Sequence, residues 1–143
     1  MQNLVIDKSI WLRGEGNEKS FLLRSADNKM CCVGIYMKSC GFTTKELKDN
    51  GAVEDVEGYL TYDTKGDPEK RFKQAKCNWL QNRSIVSDLY ETNDNEEISE
   101  AEREEQIIEG FAKNGVKVTF VDKLKRTVKK AKAAVKRRRK AKR

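Results

Sequence analysis

Thirteen of the 21 residues from Lys123 to Arg143 are lysine or arginine, and none is acidic. The chemistry open to such a run is phosphate neutralisation. Each cation seated on a phosphate releases a condensed counterion, so affinity falls with salt at a log–log slope of about −0.9 per contact on duplex DNA. Lysine brings a point charge, and arginine a planar fork that grips phosphate through two N–H groups. The expected contacts are Lys136, Arg137, Arg138, Arg139, Lys140, Lys142 and Arg143, with Lys129, Lys130 and Lys132 extending the same surface. They would hold DNA or RNA without reading bases. Leu124, Val128, Ala131 and Val135 fall at i, i+4, i+7 and i+11. If the tail became helical it would carry one narrow apolar stripe, with cations on its other faces. Self-repulsion opposes that helix until counter-charge arrives. The plainer readings are a solvated tail or a targeting signal read by a receptor. A membrane helix would want larger anchors than one leucine and two valines.

A second basic stretch holds Lys70, Arg71, Lys73, Lys76 and Arg83, with no acid between residues 70 and 83. Phe72 and Trp79 lie in it, and aromatics beside cations can stack unpaired bases. The spacing of Phe72, Ala75 and Trp79 is also that of a core-facing helix stripe, so Trp79 is expected in the core and the cations as an auxiliary contact.

Other chemistries find little support. The cysteines are Cys31, Cys32, Cys40 and Cys77, there is no C-x-x-C, and histidine is absent. Zinc sites want paired soft ligands at short spacing, so no metal is expected. Cys31 and Cys32 read as small core residues, reduced in a cytosol. Without histidine, acid–base catalysis would need tuned carboxylates or lysines, and a cysteine nucleophile would lack an imidazole partner. Gly14-Glu15-Gly16 lacks the remainder of either a dinucleotide loop or a P-loop. The expectation is a protein that is not an enzyme and binds no cofactor. No run approaches 18 apolar residues, and no secretory signal is evident at MQNLVIDKS, so neither a membrane partner nor export is expected.

The net charge of +7 divides sharply. With 13 of its 30 basic residues beyond Asp122 and none of its 23 acidic ones, the chain has a 1–122 body at −6 and a 123–143 tail at +13. Within the body, residues 91–109 carry nine acids opposed only by Arg103. Glu96, Glu97, Glu100, Glu104 and Glu105 form the centre of that segment. They offer a different function: an acidic surface that docks a basic site on a host protein, mimicking nucleic-acid charge. The same segment is a possible intramolecular counterpart for the tail.

The elements that must carry these residues are those of a small α+β body. Leu4 and Ile6 alternate as a strand, and Ile10-Trp11-Leu12 with Phe21-Leu22-Leu23 predict a hairpin around Arg13–Asn17. Met30 to Met37 is apolar on every side and predicts a buried helix closed by Gly41. Thr43 and Glu46 form a capping box, with Phe42 and Leu47 as its hydrophobic staple, and the pair of short helices ends at Asn50-Gly51. Tyr59–Tyr62 is a possible short strand. Asp67-Pro68 opens a helix, and Ser84–Tyr90 supplies another turn or two. Ser99 and Glu102 form a second capping box, for a helix burying Ala101, Ile107, Ile108, Phe111 and Ala112 and stopped by Asn114-Gly115. Val116, Val118 and Phe120 alternate as a final strand, expected in one sheet with the first.

Trp11-Leu12-Arg13-Gly14, Met30-Cys31-Cys32-Val33-Gly34, Cys40-Gly41, Ser99-Glu100-Ala101-Glu102-Arg103-Glu104 and Phe120-Val121-Asp122 are similar, in order and spacing, to a group of small proteins encoded by tailed bacteriophages and prophages. The resemblance spans most of residues 10–122 and leaves the tail as an addition. It implies a bacterial cytoplasm during infection and no particular chemistry. Small phage proteins often act on host machinery, which adds weight to the inhibitor or adaptor reading, a counter-defence or takeover role. The leading expectation remains an accessory module that engages nucleic acid or a ribonucleoprotein through the tail.

Overall fold

Residues 1–16, 20–56 and 78–122 are described by a computed structural model. Its two alternating segments behave as their pattern demands. Strand β1 (Gln2–Asp7) buries Leu4 and Ile6 and turns Val5 to solvent, and β2 (Val116–Val121) buries Val116 and Val118. They pair in parallel, from Gln2 opposite Val116 to Asp7 opposite Val121. Parallel neighbours cannot be joined by a tight turn. Here the crossover is almost the whole body, and it contains the helices of an α+β fold.

Helix α1 (Cys32–Ser39) buries every residue from Cys32 to Met37, as a segment without a polar face must. Its C-terminus closes with Phe42 N–H donating to Met37 O (3.2 Å) and Gly41 N–H to Lys38 O (3.0 Å), the paired bonds of a Schellman motif. Only glycine fits at position 34. A Cβ there would sit 1.9 Å from the Leu22 carbonyl oxygen, so the 21–23 segment lies directly against the helix backbone. Helix α2 (Thr44–Leu47) starts at the expected capping box: Thr43 Oγ1 accepts from Glu46 N (3.2 Å) and Glu46 Oε1 from Thr43 N (3.0 Å).

Four expectations are corrected. The 10–12 and 21–23 segments do not form a hairpin. Trp11 bridges Met30 and Leu23 bridges Lys48, each in parallel, because both segments find backbone partners around α1 and α2. The helix expected over Ser84–Tyr90 is longer: α3 (Arg83–Asp94) is capped by Asn82, whose Oδ1 accepts from Ser84 N (3.1 Å). Helix α4 (Glu100–Ala112) begins at Ser99 as expected, but its buried face is Arg103, Ile107 and Phe111. Ala101, Ile108 and Ala112 are exposed, Ile108 at 39%. The second capping box is half formed. Ser99 Oγ accepts from Glu102 N (3.1 Å), while Glu102 Oε1 takes Gln106 Nε2 instead (3.2 Å).

One core joins these elements, from Leu4 and Ile6 through α1 to Leu89, Ile107 and Phe111. Trp79 packs against it, as the sequence predicts, and does so from a 3₁₀ turn (Asn78–Gln81). Its ring lies 5.2 Å from Tyr36 and 5.5 Å from Phe111, and its Nε1 donates to Tyr36 Oη (3.1 Å). The Tyr59–Tyr62 strand, the Asp67-Pro68 helix start, Phe72, Ala75, Cys77, the cations Lys70, Arg71, Lys73 and Lys76, and the whole 123–143 tail lie outside the described residues.

Candidate functional site

Helix α1 begins with a weak cap. Cys31 occupies the N-cap position, and its thiol accepts from Gly34 N at 3.4 Å. A better oxygen comes from another helix. Asn93, fully buried near the end of α3, accepts Cys32 N–H at Oδ1 (3.1 Å) and Trp11 Nε1–H at the same atom (2.8 Å). Its Nδ2 donates to Leu12 O (2.9 Å) and to Asp94 Oδ1 (3.0 Å). Two acceptances and two donations exhaust what an asparagine amide can do. The main chain adds Gly14 N–H to Asn93 O (2.9 Å) and Gly16 N–H to Asp94 O (3.1 Å). The Trp11–Gly16 segment is thereby laced to the end of α3, and α1 is capped by it.

Beside this junction, Arg103 of α4 reaches back under the α3–α4 connection. Its Nη2 donates to Asn95 O (2.5 Å) and Ile98 O (3.4 Å), and the residue is only 6% exposed. Gly14, at φ 66°, approaches so closely that a Cβ would stand 3.0 Å from that nitrogen. Arg13 lies over the Trp11 ring at 4.6 Å, donates from Nη1 to Lys8 O and Trp11 O, and pairs with Glu100. The Arg13 guanidinium holds the Glu100 carboxyl below its ordinary value. Lys8 Nζ pairs with Glu104 (2.5 Å).

The five carboxylates expected at an acidic docking surface therefore divide. Glu100 and Glu104 are held in ion pairs with Arg13 and Lys8. Glu96, Glu97 and Glu105 are exposed. Asp94 is 6% exposed, and burial pushes its carboxyl up against the lowering effect of its bonds from Asn93 and Ser20. Cys31, Cys32 and Cys40 are buried, and burial pushes the Cys31 thiol up to about 12 and the Cys32 thiol well above the ordinary thiol range. A buried thiol held protonated is a poor nucleophile. Among the described residues no three Cys, Asp or Glu side chains are grouped to hold a metal ion. None of their helices is long and apolar enough to cross a membrane. A groove of about 280 Å³ lies between α3 and α4, with Ile85, Leu89 and Gly110 among its lining and Asp88 and Glu109 beside them.

Sequence reasoning missed Asn93. No spacing rule marks an asparagine near the end of a helix as the cap of another helix 61 residues earlier. Trp11, Leu12, Gly14, Cys32 and Arg103 all meet at or beside Asn93. Asn93 itself is saturated with internal bonds, which is the chemistry of a structural node. Comparison of the chain with models of known protein families, with curated proteins and with solved structures finds no match.

Proposed function

We propose that this chain is a non-enzymatic accessory protein, of the kind phages encode, that binds nucleic acid or a ribonucleoprotein through its 123–143 tail in a bacterial cytoplasm. One observation carries the reading: thirteen cations and no acid in 21 residues, on a body of net charge −6. A body of that sign repels phosphate, so the attraction must come from the tail. The tail holds no acid of its own among its cations, and polyanions gain from the counterions each contact releases.

The test is a salt titration of the full-length chain on a random-sequence duplex and on single-stranded RNA, followed by fluorescence anisotropy. Replacing Arg137, Arg138 and Arg139 together with glutamine removes three phosphate contacts. The log–log salt slope on the duplex should then shrink by about 2.7. Failure of the full-length chain to bind either polymer at low ionic strength overturns the reading.

A second reading is favoured by the exposure of Glu96, Glu97 and Glu105. In it the acidic face docks a basic site on a host protein, as an inhibitor or adaptor. Capture of one host protein from nuclease-treated bacterial lysate, undiminished by the arginine replacements and lost on charge reversal of those glutamates, would establish it in place of the first.

A further inference from the structure

Helix α4 keeps a second face that the core does not use, in which Ile108 and two alanines flank Glu105. Arg103, Ile107 and Phe111 face inward, while Ala101, Glu105, Ile108 and Ala112 lie along a second, exposed face. Those positions recur at i, i+4, i+7 and i+11, one stripe of a helix surface. Leu124, Val128, Ala131 and Val135 have the same spacing. Both stripes are flanked by charge, of opposite sign: exposed Glu102 and Glu109 on α4, against Lys125, Arg126, Lys129 and Lys132 in the tail.

The fold also sets where the tail starts. Lys8 N–H donates to Val121 O (2.9 Å), and Lys8 Nζ pairs with Glu104 (2.5 Å). The chain therefore leaves β2 one lysine side chain away from Glu104. On α4 the i−3 and i+4 neighbours of Glu104 are Ala101 and Ile108, the exposed stripe itself. Leu124 follows Val121 by three residues. Residues 124–135 match residues 101–112 in length and in stripe spacing, so a tail following α4 from that end would need no long linker.

We propose that the exposed face of α4 (Ala101, Glu105, Ile108 and Ala112) is the docking site for residues 124–135 of the same chain. The contact sequesters the first half of the tail and leaves Lys136 to Arg143 to make first contact with a polyanion. Full engagement of nucleic acid then competes with docking, and the apparent affinity is reduced by the fraction of chains held closed. The docking itself does not depend on the proposed nucleic-acid function. Only the competition rests on that reading.

The experiment uses the full-length, ¹⁵N-labelled chain and a Leu124→Ser/Val128→Ser variant that alters no residue of the body. The variant should displace the amide resonances of Ala101, Glu105, Ile108 and Ala112 while leaving those of β1 in place. Unmoved α4 resonances overturn the proposal, whatever the chain binds. In a second arm, Ile108→Ser should tighten binding of a random-sequence duplex by about threefold or more. Val5→Ser, an equally uncharged change on the exposed sheet face, should leave it unaltered, and equal affinities for the two variants overturn the competition. A chain that binds no duplex at all sinks the proposed function, and the resonance arm still decides the docking.

Discussion

Asn93 shows how one side chain decides whether several segments cohere. Replacing it with alanine strips the acceptor from Trp11 Nε1 and Cys32 N and the donor from Leu12 O, all in a buried setting. A buried polar group left without a partner costs about 1–3 kcal/mol. Asn93→Ala is therefore expected to lower stability by about 3 kcal/mol or more, read as a fall in the urea midpoint with an unchanged denaturant slope. A loss under about 1 kcal/mol would remove the junction from any account of the fold. Asp94, next in the chain, has a pH signature. Its folded-state carboxyl is raised by burial, so the folded chain holds the proton more tightly than the unfolded one. The cost of ionising it is absent below the unfolded carboxylate value and grows as pH rises through the window up to the raised value. Asp94→Asn should accordingly raise the urea midpoint at neutral pH and give no gain near pH 3, below the ordinary aspartate range of about 3.9. Equal destabilisation at both pH values would assign Asp94 to hydrogen bonding instead.

Helix boundaries were legible where the signal is local. Thr43 and Glu46 satisfy each other across one turn, so four residues of sequence suffice to place the start of α2. Ser99 caps α4 by the same logic, and Ser99→Ala should cost about 1 kcal/mol while Ser99→Asp retains the cap. Urea unfolding of the two variants side by side checks this, and equal losses would mean the serine hydroxyl is not the cap. The inward face of α4 was not legible. Ile107 and Ile108 are chemically identical, and their neighbours Ala101 and Ala112 admit either as the core residue. Arg103 decides the rotation: its guanidinium finds two carbonyls of the α3–α4 connection, which turns Ile107 and Phe111 inward and Ile108 out. The hairpin expected from 10–12 and 21–23 failed for a related reason. Strand-like composition states that a segment wants backbone partners, and Met30 and Lys48 supplied them instead.

At the scale of the whole molecule, charge and reactivity are segregated. Cations are concentrated beyond Asp122 while residues 1–122 are net acidic, and the thiols of Cys31, Cys32 and Cys40 are buried in that body. Labelling of these three at neutral pH should track unfolding, slow in buffer and fast in denaturant, with each site assigned by mass spectrometry. A single rapidly labelled thiol at Cys31 or Cys32 in the native chain would instead point to a reactive cysteine. The paired ends of the body, β1 and β2, close the crossover that encloses those cysteines. The described residues end at Asp122, one residue beyond a strand paired in the sheet.

By itself the sequence determined what depends on near neighbours and on totals: the division of charge at Asp122, both helix starts at Thr43 and Ser99, the buried character of α1, and the alternation of the two strands. These follow from side-chain type and short-range periodicity, which need no knowledge of what lies across the fold. Tertiary structure alone decided which carboxylates are spent on Arg13 and Lys8, which face of α4 points inward, and that Asn93 caps a helix from which 61 residues separate it. Those outcomes depend on groups distant in sequence meeting in a space where each buried donor must find an acceptor, and no local pattern records that meeting.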